Sequence, residues 1–257
     1  MKKKNYFTKK PFFSIITVVK NDQANIQKTI KSILGQSFKN FEYIIIDGKS
    51  QDNTLKNIKR YRGNPICIVS EKDNGIYYAM NKGIKRAKGH IVVFVNSGDI
   101  LTKNALKIVS NKFNNNPKLH FVFGTVRRKY TKKTILKYGF DPSRLKYNFD
   151  FATSHTTGFF IKLRSIKLIG YFNTKYKCSA DYDFYYKAII KEKLIGSSTN
   201  KNQLIGIVNS GGFSSKITFF NHLLEETKIR LDNKQNIFFV FLIFMNAIIK
   251  NILKKIA

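Results

Sequence analysis

The feature that most constrains the fold is a regular alternation of short apolar runs with segments of helical periodicity. The runs are short and rich in β-branched residues, which favours buried strands. They are "FSIITVV" at 13–19, "YIIID" at 43–47, "ICIVS" at 66–70, "HIVVFV" at 90–95 and "HFVFG" at 120–124. Between the first two runs, apolar residues recur at helical spacing (Ile26, Ile30, Ile33). This βαβ rhythm predicts an α/β fold with a mostly parallel sheet and helices on both faces.

Acidic residues are scarce, and several of them lie directly after the predicted strands. The chain has 15 Asp and Glu against 47 Lys and Arg, a formal net charge of +32. Asp47, Glu71, Asp73 and Asp99 nevertheless follow apolar runs. Ligands of open parallel sheets bind outside the carboxyl ends of the strands. We therefore predict a functional site at that edge, with these acids converging on it.

The first turn after the first strand excludes two classes of nucleotide enzyme. It consists of "VVKNDQAN" and contains no glycine. Dinucleotide-binding folds and P-loop proteins both need a Gly-rich loop there, because the backbone must approach the phosphates closely. A polar turn without glycine favours an enzyme that holds a base and ribose with side chains.

The net charge limits which kinds of binding partner fit the sequence, and the two cysteines indicate the cellular compartment. A net charge of +32 favours anionic partners such as nucleic acid, anionic lipid or phosphorylated small molecules, although an overall lysine bias accounts for much of it. Cys67 and Cys178 show no metal-binding or disulfide spacing, which predicts a reducing cytoplasm. Cys67 is predicted to be a small core residue. Residues 1–11 are predicted to be a basic tail and not a signal peptide.

Four blocks of sequence carry a resemblance to a known family. They are "SIITVVKND", "SILGQSFKNFEYIIIDGKSQDNT", "SEKDNGIYYAMNKGIKRAKGHIVVFVNSGD" and "ADYDF". In order and spacing they resemble the inverting family 2 glycosyltransferases of GT-A (Rossmann-like) fold, over about residues 12–215. "DNGIYYAMNKG" resembles the bacterial subgroup that builds polysaccharide and lipopolysaccharide. The resemblance implies a hexosyltransferase-type enzyme that moves a sugar from a UDP-linked nucleotide sugar to a glycan or polyprenyl-linked acceptor.

The resemblance also implies a divalent cation, Mn or Mg, held on the sugar-nucleotide diphosphate by a D-x-D element after the fourth strand. Here Asn96 and Gly98 occupy the positions of the usual acids, which leaves Asp99 as the carboxylate of the element. Asp99 and Asn96 are therefore the expected metal ligands, with weaker affinity than a pair of acids would give. The alternative is that this segment is only a turn that caps the following helix.

Other site residues follow from the same resemblance. The nucleotide-sugar contacts are expected to be Thr17, Asn21, Asp47, Asp73, Asn81 and Lys82. Lys82 could reach a phosphate or be an ordinary solvated lysine. Asp181 matches the catalytic base, which removes the acceptor hydroxyl proton during an inverting transfer. His155 and Ser214 are candidates for contact with the diphosphate or the acceptor, and a lone histidine can equally be structural.

The C-terminal segment 216–257 is expected to be a helical extension of the domain. Its run "IFFVFLIFMNAII" at 237–249 is shorter than the roughly 20 residues of a membrane-spanning helix. Lys250, Lys254 and Lys255 follow it. This pattern favours a helix lying on an anionic membrane, with the enzyme peripheral on the cytoplasmic face. Packing onto the domain or onto a partner subunit is one alternative, and a true membrane span is the other.

Two other functional classes stay open at the level of sequence. A basic nucleic-acid-binding protein would fit the charge, but no recognisable module is present, and no nucleic-acid partner is expected. A non-catalytic assembly partner with a GT-A-like fold would fit the loss of acids at Asn96 and Gly98.

Overall fold

The computed structural model describes residues 10–63, 65–130, 133–148, 155–209, 211–212 and 217–256. The strands are β1 (Phe13–Val19), β2 (Phe41–Asp47), β3 (Ile66–Ser70), β4 (Ile91–Phe94), β5 (Ile100–Leu101), β6 (Phe121–Phe123), β7 (Thr125–Lys129), β8 (Thr134–Lys137), β9 (Phe159–Lys162), β10 (Gly196–Ser198) and β11 (Leu204–Asn209). The helices are α1 (Ile26–Leu34), α2 (Thr54–Lys59), α3 (Ile76–Arg86), α4 (Ala105–Asn115), α5 (Pro142–Tyr147), α6 (Leu163–Ile169), α7 (Ala180–Tyr186), α8 (Phe219–Asp232) and α9 (Ile237–Ile256). A 3-10 turn covers Thr156–Gly158, and a π-helical turn over Lys187–Lys191 continues α7.

The main sheet has the strand order β10-β6-β9-β4-β1-β2-β3. Strand β1 pairs in parallel with β2 and with β4, and β2 pairs in parallel with β3. Strand β9 runs antiparallel between β4 and β6. The predicted α/β fold with a mostly parallel sheet is therefore confirmed, with β9 as the reversed strand.

Helices cover both faces of this sheet, which explains why its strands are apolar throughout. Ile16 and Ile44 point to the face covered by α3, whereas Ile15 and Ile45 point to the face covered by α1 and α4. Because both faces are buried, apolar residues at successive positions are all removed from water, and the alternating pattern of a half-exposed sheet does not develop.

The expectation that Cys67 is a core residue is wrong. Strand β3 is the last strand of the sheet, with β2 as its neighbour, and Cys67 is exposed. An edge strand keeps part of its apolar sequence because it still packs on one side, so its composition resembles that of a buried strand.

A smaller sheet follows the main one, with the order β5-β11-β7-β8. Strands β7 and β8 form an antiparallel pair. Strand β11 pairs in parallel with β7 and antiparallel with the short β5. Because β5 begins directly after Asp99, this sheet places the end of β11 beside that residue.

The C-terminal extension consists of two helices with different environments. Helix α8 is packed into the domain, since Leu223, Ile229 and Arg230 are buried. The Arg230 guanidinium donates hydrogen bonds to the carbonyl oxygens of Leu145 and Asn148. Helix α9 instead exposes most of its large apolar side chains. Within the described ranges, no helix is both long and apolar enough to cross a bilayer.

The close approach of α3 to β1 generates a prediction at Gly83. A Cβ at this position would overlap the Cγ2 methyl of Ile16. Alanine normally stabilises a helix by about 1 kcal/mol relative to glycine, but overpacking a core costs about 1–3 kcal/mol. We expect Gly83→Ala to lower the free energy of unfolding by about 1–2 kcal/mol in urea titrations. Lys85→Ala, an exposed change in the same helix, is the control. A more stable Gly83→Ala protein would contradict the packing described for α3.

Candidate active site

The carboxyl ends of four parallel strands meet at one edge of the main sheet. In the register, Val19 of β1 pairs with Asp47 of β2, which pairs with Ser70 of β3. The loops that follow are joined to one another. The Asn21 backbone N–H donates to Ser50 Oγ (2.9 Å), and Asn21 Oδ1 accepts from the Gln51 N–H (2.8 Å). Asn21 is exposed at this rim, with a φ of 51°.

Asp47 and Thr17 lie beneath the rim, because both are fully buried. The Asp47 carboxylate accepts hydrogen bonds from Ser50 Oγ (2.5 Å) and Ser70 Oγ (2.6 Å). The Thr17 hydroxyl donates to the Val95 carbonyl (2.6 Å). Both residues therefore hold the strand ends together from below, and their predicted nucleotide contacts have no free surface in this structure.

Asp73 and Lys82 form the centre of a charged group at the end of β3. Lys82 Nζ lies 2.6 Å from Asp73 Oδ1 and 3.0 Å from Glu71 Oε1. Asp73 Oδ2 is buried without a hydrogen-bond partner among the described residues, and it lies beside Gly48. Lys82 is thus neither a freely solvated lysine nor a free phosphate ligand. It holds Asp73 in place, with one carboxylate oxygen left available.

Asn81 has a structural position. Its side-chain Nδ2 donates to the Phe172 carbonyl (2.9 Å), and its Oδ1 accepts from the Phe172 N–H (3.0 Å). Both ends of the amide are therefore used by the backbone of the segment after α6. This bond fixes Phe172, whose ring stacks on Phe184 of α7 and packs against Phe94 at the end of β4.

The segment Asn96–Asp99 forms a tight turn at the end of β4. Gly98 has a φ of +93°, a conformation that favours glycine, and the Asp99 N–H donates to the Asn96 carbonyl (3.0 Å). Asp99 is only 4% exposed and accepts from Thr157 Oγ1 (2.5 Å) and from the Asn209 N–H (3.3 Å). Burial raises the pKa of Asp99 to about 7, despite those hydrogen bonds and the nearby charge of Arg128.

The turn offers oxygen atoms, which are the ligands that divalent cations such as Mg²⁺ prefer, but it offers too few of them for tight binding. Asn96 Oδ1 is buried without a hydrogen-bond partner among the described residues, which suits a cation ligand. Asp99 would have to exchange its bond from Thr157 for a cation. In the part of the chain that the structure describes, no three His, Cys, Asp or Glu side chains form a group that could hold a metal ion.

His155 lies next to Asp99 and is neutral. Burial, reinforced by the charge of Arg128, lowers the pKa of His155 to about 3. Its Nδ1 accepts from the Thr157 N–H (3.2 Å), so the separation of 3.6 Å from Asp99 Oδ2 is not an ion pair. His155 therefore presents Nε2–H as its donor. Ser214 lies outside the described residues.

Asp181 is in the first turn of α7 and is linked to the same rim through α3. Its Oδ1 accepts from the Tyr77 hydroxyl (3.1 Å) and from the Tyr182 N–H (3.0 Å). Burial raises the pKa of Asp181, although these bonds and the nearby His222 oppose that shift. The Tyr77 ring also packs against Phe172, which contacts the end of β4. Asp181 is thus connected to the end of β4 through Tyr77 and Phe172.

Sequence reasoning missed three residues at the rim, which are Asp22, Thr156 and Thr157. Asp22 accepts from Ser97 Oγ (2.7 Å), which ties the first loop to the Asn96–Asp99 turn. Asn96 Nδ2 donates to Thr156 Oγ1 (3.2 Å), next to the Thr157 hydroxyl that bonds Asp99. Asp22 follows the first strand as the other acids follow theirs, so the pattern of an acidic residue after an apolar run could have identified it. Thr156 and Thr157 follow no apolar run, because they lie in the 3-10 turn before the reversed strand β9, and they are distant in sequence from the turn that they contact.

Comparison with known proteins identifies the family. The family model "Glycosyl transferase family 2" matches residues 14–181, well over half of the chain. The chain belongs to this family, and it is a transferase. The fold, the strand-end rim and the position of Asp181 at the end of the matched segment agree with that membership.

Individual relatives are more distant. A PGL/p-HBAD biosynthesis glycosyltransferase of Mycobacterium bovis is 28% identical over 191 residues, which cover 72% of each chain. The hyaluronan synthase of Pasteurella multocida is 29% identical over 188 residues, 71% of this chain but 19% of the synthase.

Solved structures share the fold at lower identity. S. aureus TarS 1–349 in complex with UDP-GlcNAc has a TM-score of 0.70 at 18% identity, covering 92% of this chain and 71% of TarS 1–349. The mannosyltransferase PcManGT of Pyrobaculum calidifontis, in complex with GDP-Man and Mn2+, has a TM-score of 0.66 at 16% identity, covering 89% and 66%.

The raised pKa of Asp99 predicts a pH-dependent effect of Asp99→Asn. Because the folded-state pKa lies above the ordinary value of 3.8, ionising Asp99 costs the folded state free energy that accumulates as pH rises to about 7. Asparagine has no such cost. We expect the stability of the variant relative to wild type to increase by up to about 1.4 kcal/mol per pH unit over this interval and then level off.

Urea titrations of the metal-free protein from pH 4.5 to 8 measure this difference. Asp141→Asn is the control. Hydrogen bonds from Ser143 hold the pKa of exposed Asp141 below its ordinary value of 3.8, so Asp141 is ionised in both the folded and the unfolded state over this range, and its substitution should change stability by the same amount at every pH. A stability difference for Asp99→Asn that is the same at every pH would show that Asp99 is ionised throughout.

Proposed function

We propose that the protein is an inverting glycosyltransferase that moves a sugar from a UDP-linked donor to a hydroxyl of a glycan or polyprenyl-linked acceptor. The observation that carries this proposal is the position of Asp181, a partly buried carboxylate with a raised pKa that is connected to the end of β4 through Tyr77 and Phe172. Two similar proteins support it: one is a PGL/p-HBAD biosynthesis glycosyltransferase, and TarS 1–349 was crystallised in complex with UDP-GlcNAc.

The donor nucleotide would lie across the ends of β1, β2 and β3. Asp73 Oδ2 is the acceptor available to a ribose hydroxyl or a base N–H, while Lys82 fixes the other oxygen of that carboxylate. Exposed Asn21 lies over the same loops. Asp47 and Thr17 support this surface from below, as Asn81 does from the side through Phe172.

The diphosphate would lie at the end of β4. Asn96 and Asp99 are the residues that would hold a divalent cation, Mn or Mg, which when bound neutralises charge on the diphosphate. Neutral His155 can donate from Nε2 to a phosphate oxygen nearby. Since the cation ligands include one carboxylate, we expect weak metal affinity.

Asp181 would act as the catalytic base. The acceptor oxygen attacks the anomeric carbon as the bond from that carbon to the diphosphate oxygen breaks, and Asp181 takes the hydroxyl proton. A base works best when its pKa lies near the operating pH, and burial moves the pKa of Asp181 upward in that direction. The attack from the opposite face inverts the anomeric configuration without a covalent intermediate.

We further propose that α9 docks on an anionic membrane at the cytoplasmic face. Its exposed large apolar side chains include Ile237, Phe238, Phe241, Leu242, Met245, Ile249, Ile252 and Leu253. From Ile237 to Ile249 the helix carries no charged residue, and Lys250 follows. A second copy of a chain with a net charge of +32 would be repelled, whereas anionic lipid would be attracted.

Asp181→Asn tests the catalytic proposal. We expect transfer to fall by at least about 100-fold, since a positioned base contributes about 10²–10⁴-fold. UDP-sugar affinity, measured by calorimetry with Mn2+ and with EDTA, should stay within twofold of wild type, because the hydrogen bonds of Asp181 among the described residues are to Tyr77 and Tyr182 and not to the strand-end loops.

Asp183→Asn, a neighbouring buried acid bonded to Lys187 and Asn233, is the matched control for charge removal in α7. NMR of the product should give the anomer opposite to that of the donor. Wild-type transfer by Asp181→Asn would remove Asp181 from its role, and absence of UDP-sugar binding to the wild type would favour a non-catalytic partner.

Vesicle flotation tests the membrane proposal. We expect the protein to float with vesicles containing phosphatidylglycerol and much less with phosphatidylcholine alone, and binding should weaken in high salt. Phe238→Asp combined with Phe241→Asp should abolish flotation. Leu168→Asp, an equally exposed apolar site on α6, is the control. A dimer in solution that the double variant converts to monomer, with no lipid binding, would assign the surface to a second copy instead.

A further inference from the structure

A carboxylate from outside the rim holds the segment that carries Asp181. Glu225 of α8 accepts hydrogen bonds from three consecutive backbone N–H groups, those of Lys177 (2.6 Å), Cys178 (2.7 Å) and Ser179 (2.6 Å). Helix α7 begins at the next residue, and Asp181 is its second residue. One side chain therefore fixes the backbone immediately before the proposed base.

Other contacts from α8 hold the same segment. His222 Nδ1 lies 3.1 Å from Ser179 Oγ, and the Tyr176 hydroxyl donates to Asp232 Oδ2 (2.7 Å). Burial raises the pKa of Glu225, but the hydrogen bonds from residues 177–179 outweigh it and keep the pKa below the ordinary value. Glu225 is thus ionised at neutral pH, and bonds to a charged acceptor are the stronger kind.

Local structure alone does not fix the position of Asp181. Helix α7 has seven residues, too few to be stable in isolation, and its N-cap residue Ser179 makes no side-chain capping bond. The hydrogen bonds to Glu225 supply the missing restraint. From the other side, the Tyr77 hydroxyl bonds both Asp181 and the Cys178 carbonyl. The base segment is therefore held between α3 and α8.

We infer that Glu225 is a positioning residue for sugar transfer: by holding residues 177–179 it keeps Asp181 beside Tyr77 at the rim. This inference rests on the proposed role of Asp181 as the base. Glu225 lies beyond residue 181, where the family match ends, so the segment shared with the family does not contain it. The described contacts of Glu225 are with the base segment and not with the strand-end loops.

Glu225→Gln in the full chain is the test. Glutamine keeps the size but turns one acceptor oxygen into a donor that opposes the backbone N–H groups. We expect kcat to fall by about 100-fold, the loss that a misplacement of about 1 Å can cause. The UDP-sugar Kd should stay within twofold. Glu192→Gln, which removes one exposed charge after the π-helical turn, should behave as wild type.

Two further measurements separate positioning from general destabilisation. Hydrogen exchange should accelerate for the amides of residues 177–183 in Glu225→Gln, while the amides of β1 and β2 stay protected. In an Asp181→Asn background, Glu225→Gln should cause little further loss of the residual rate, because both changes act through one group. If Glu225→Gln does not fold, Glu225→Asp, which keeps the charge on a shorter side chain, should give the same local exchange and an intermediate kcat.

The outcomes are distinct. Unchanged kcat in Glu225→Gln beside an inactive Asp181→Asn protein would overturn the inference and leave the proposed base intact. A parallel loss of donor affinity and kcat, with exchange accelerated throughout the sheet, would also overturn it, because Glu225 would then support the whole fold. Full activity in Asp181→Asn would instead refute the proposed function on which the inference depends.

Discussion

The parallel register of β1 with β2 and β4 is the constraint on which the rest of the site depends. It brings Asp47, the loop after β3 and the turn at Asn96 to one edge of the sheet. The loops at that edge are then joined by hydrogen bonds such as those from the Asn21 N–H to Ser50 and from Ser97 to Asp22. A shift of one residue in this register would move every side chain of a strand to the opposite face of the sheet. The register therefore fixes which residues lie at the rim.

The acids of the rim are each neutralised or bonded by a specific neighbour, which is necessary because a buried free carboxylate is costly. Asp73 is paired with Lys82, and Asp99 with the Thr157 hydroxyl. What remains for a ligand is small and directional: one oxygen of Asp73 and the amide oxygen of Asn96.

The two C-terminal helices have different relations to the catalytic unit. Helix α8 is part of its core and holds the segment before α7 through Glu225. Helix α9 follows after a short turn and exposes an apolar surface. Helix α8 thus joins the proposed lipid-docking surface to the segment that carries Asp181. An acceptor embedded in a membrane would then meet the base from a defined side.

The sequence by itself determined the elements and the class: the apolar runs and helical spacings predicted the α/β sheet, and four short blocks identified the family. The resemblance to that family also selected Asp99 as an expected metal ligand and Asp181 as the expected base, and both roles stay predictions. Only the tertiary structure decided which predicted residues face a ligand. Thr17 and Asp47 proved to be buried supports, Lys82 the partner of Asp73, and Glu225 a restraint on a segment far away in sequence. These roles arise from contacts between distant parts of the chain, which no local periodicity or spacing records.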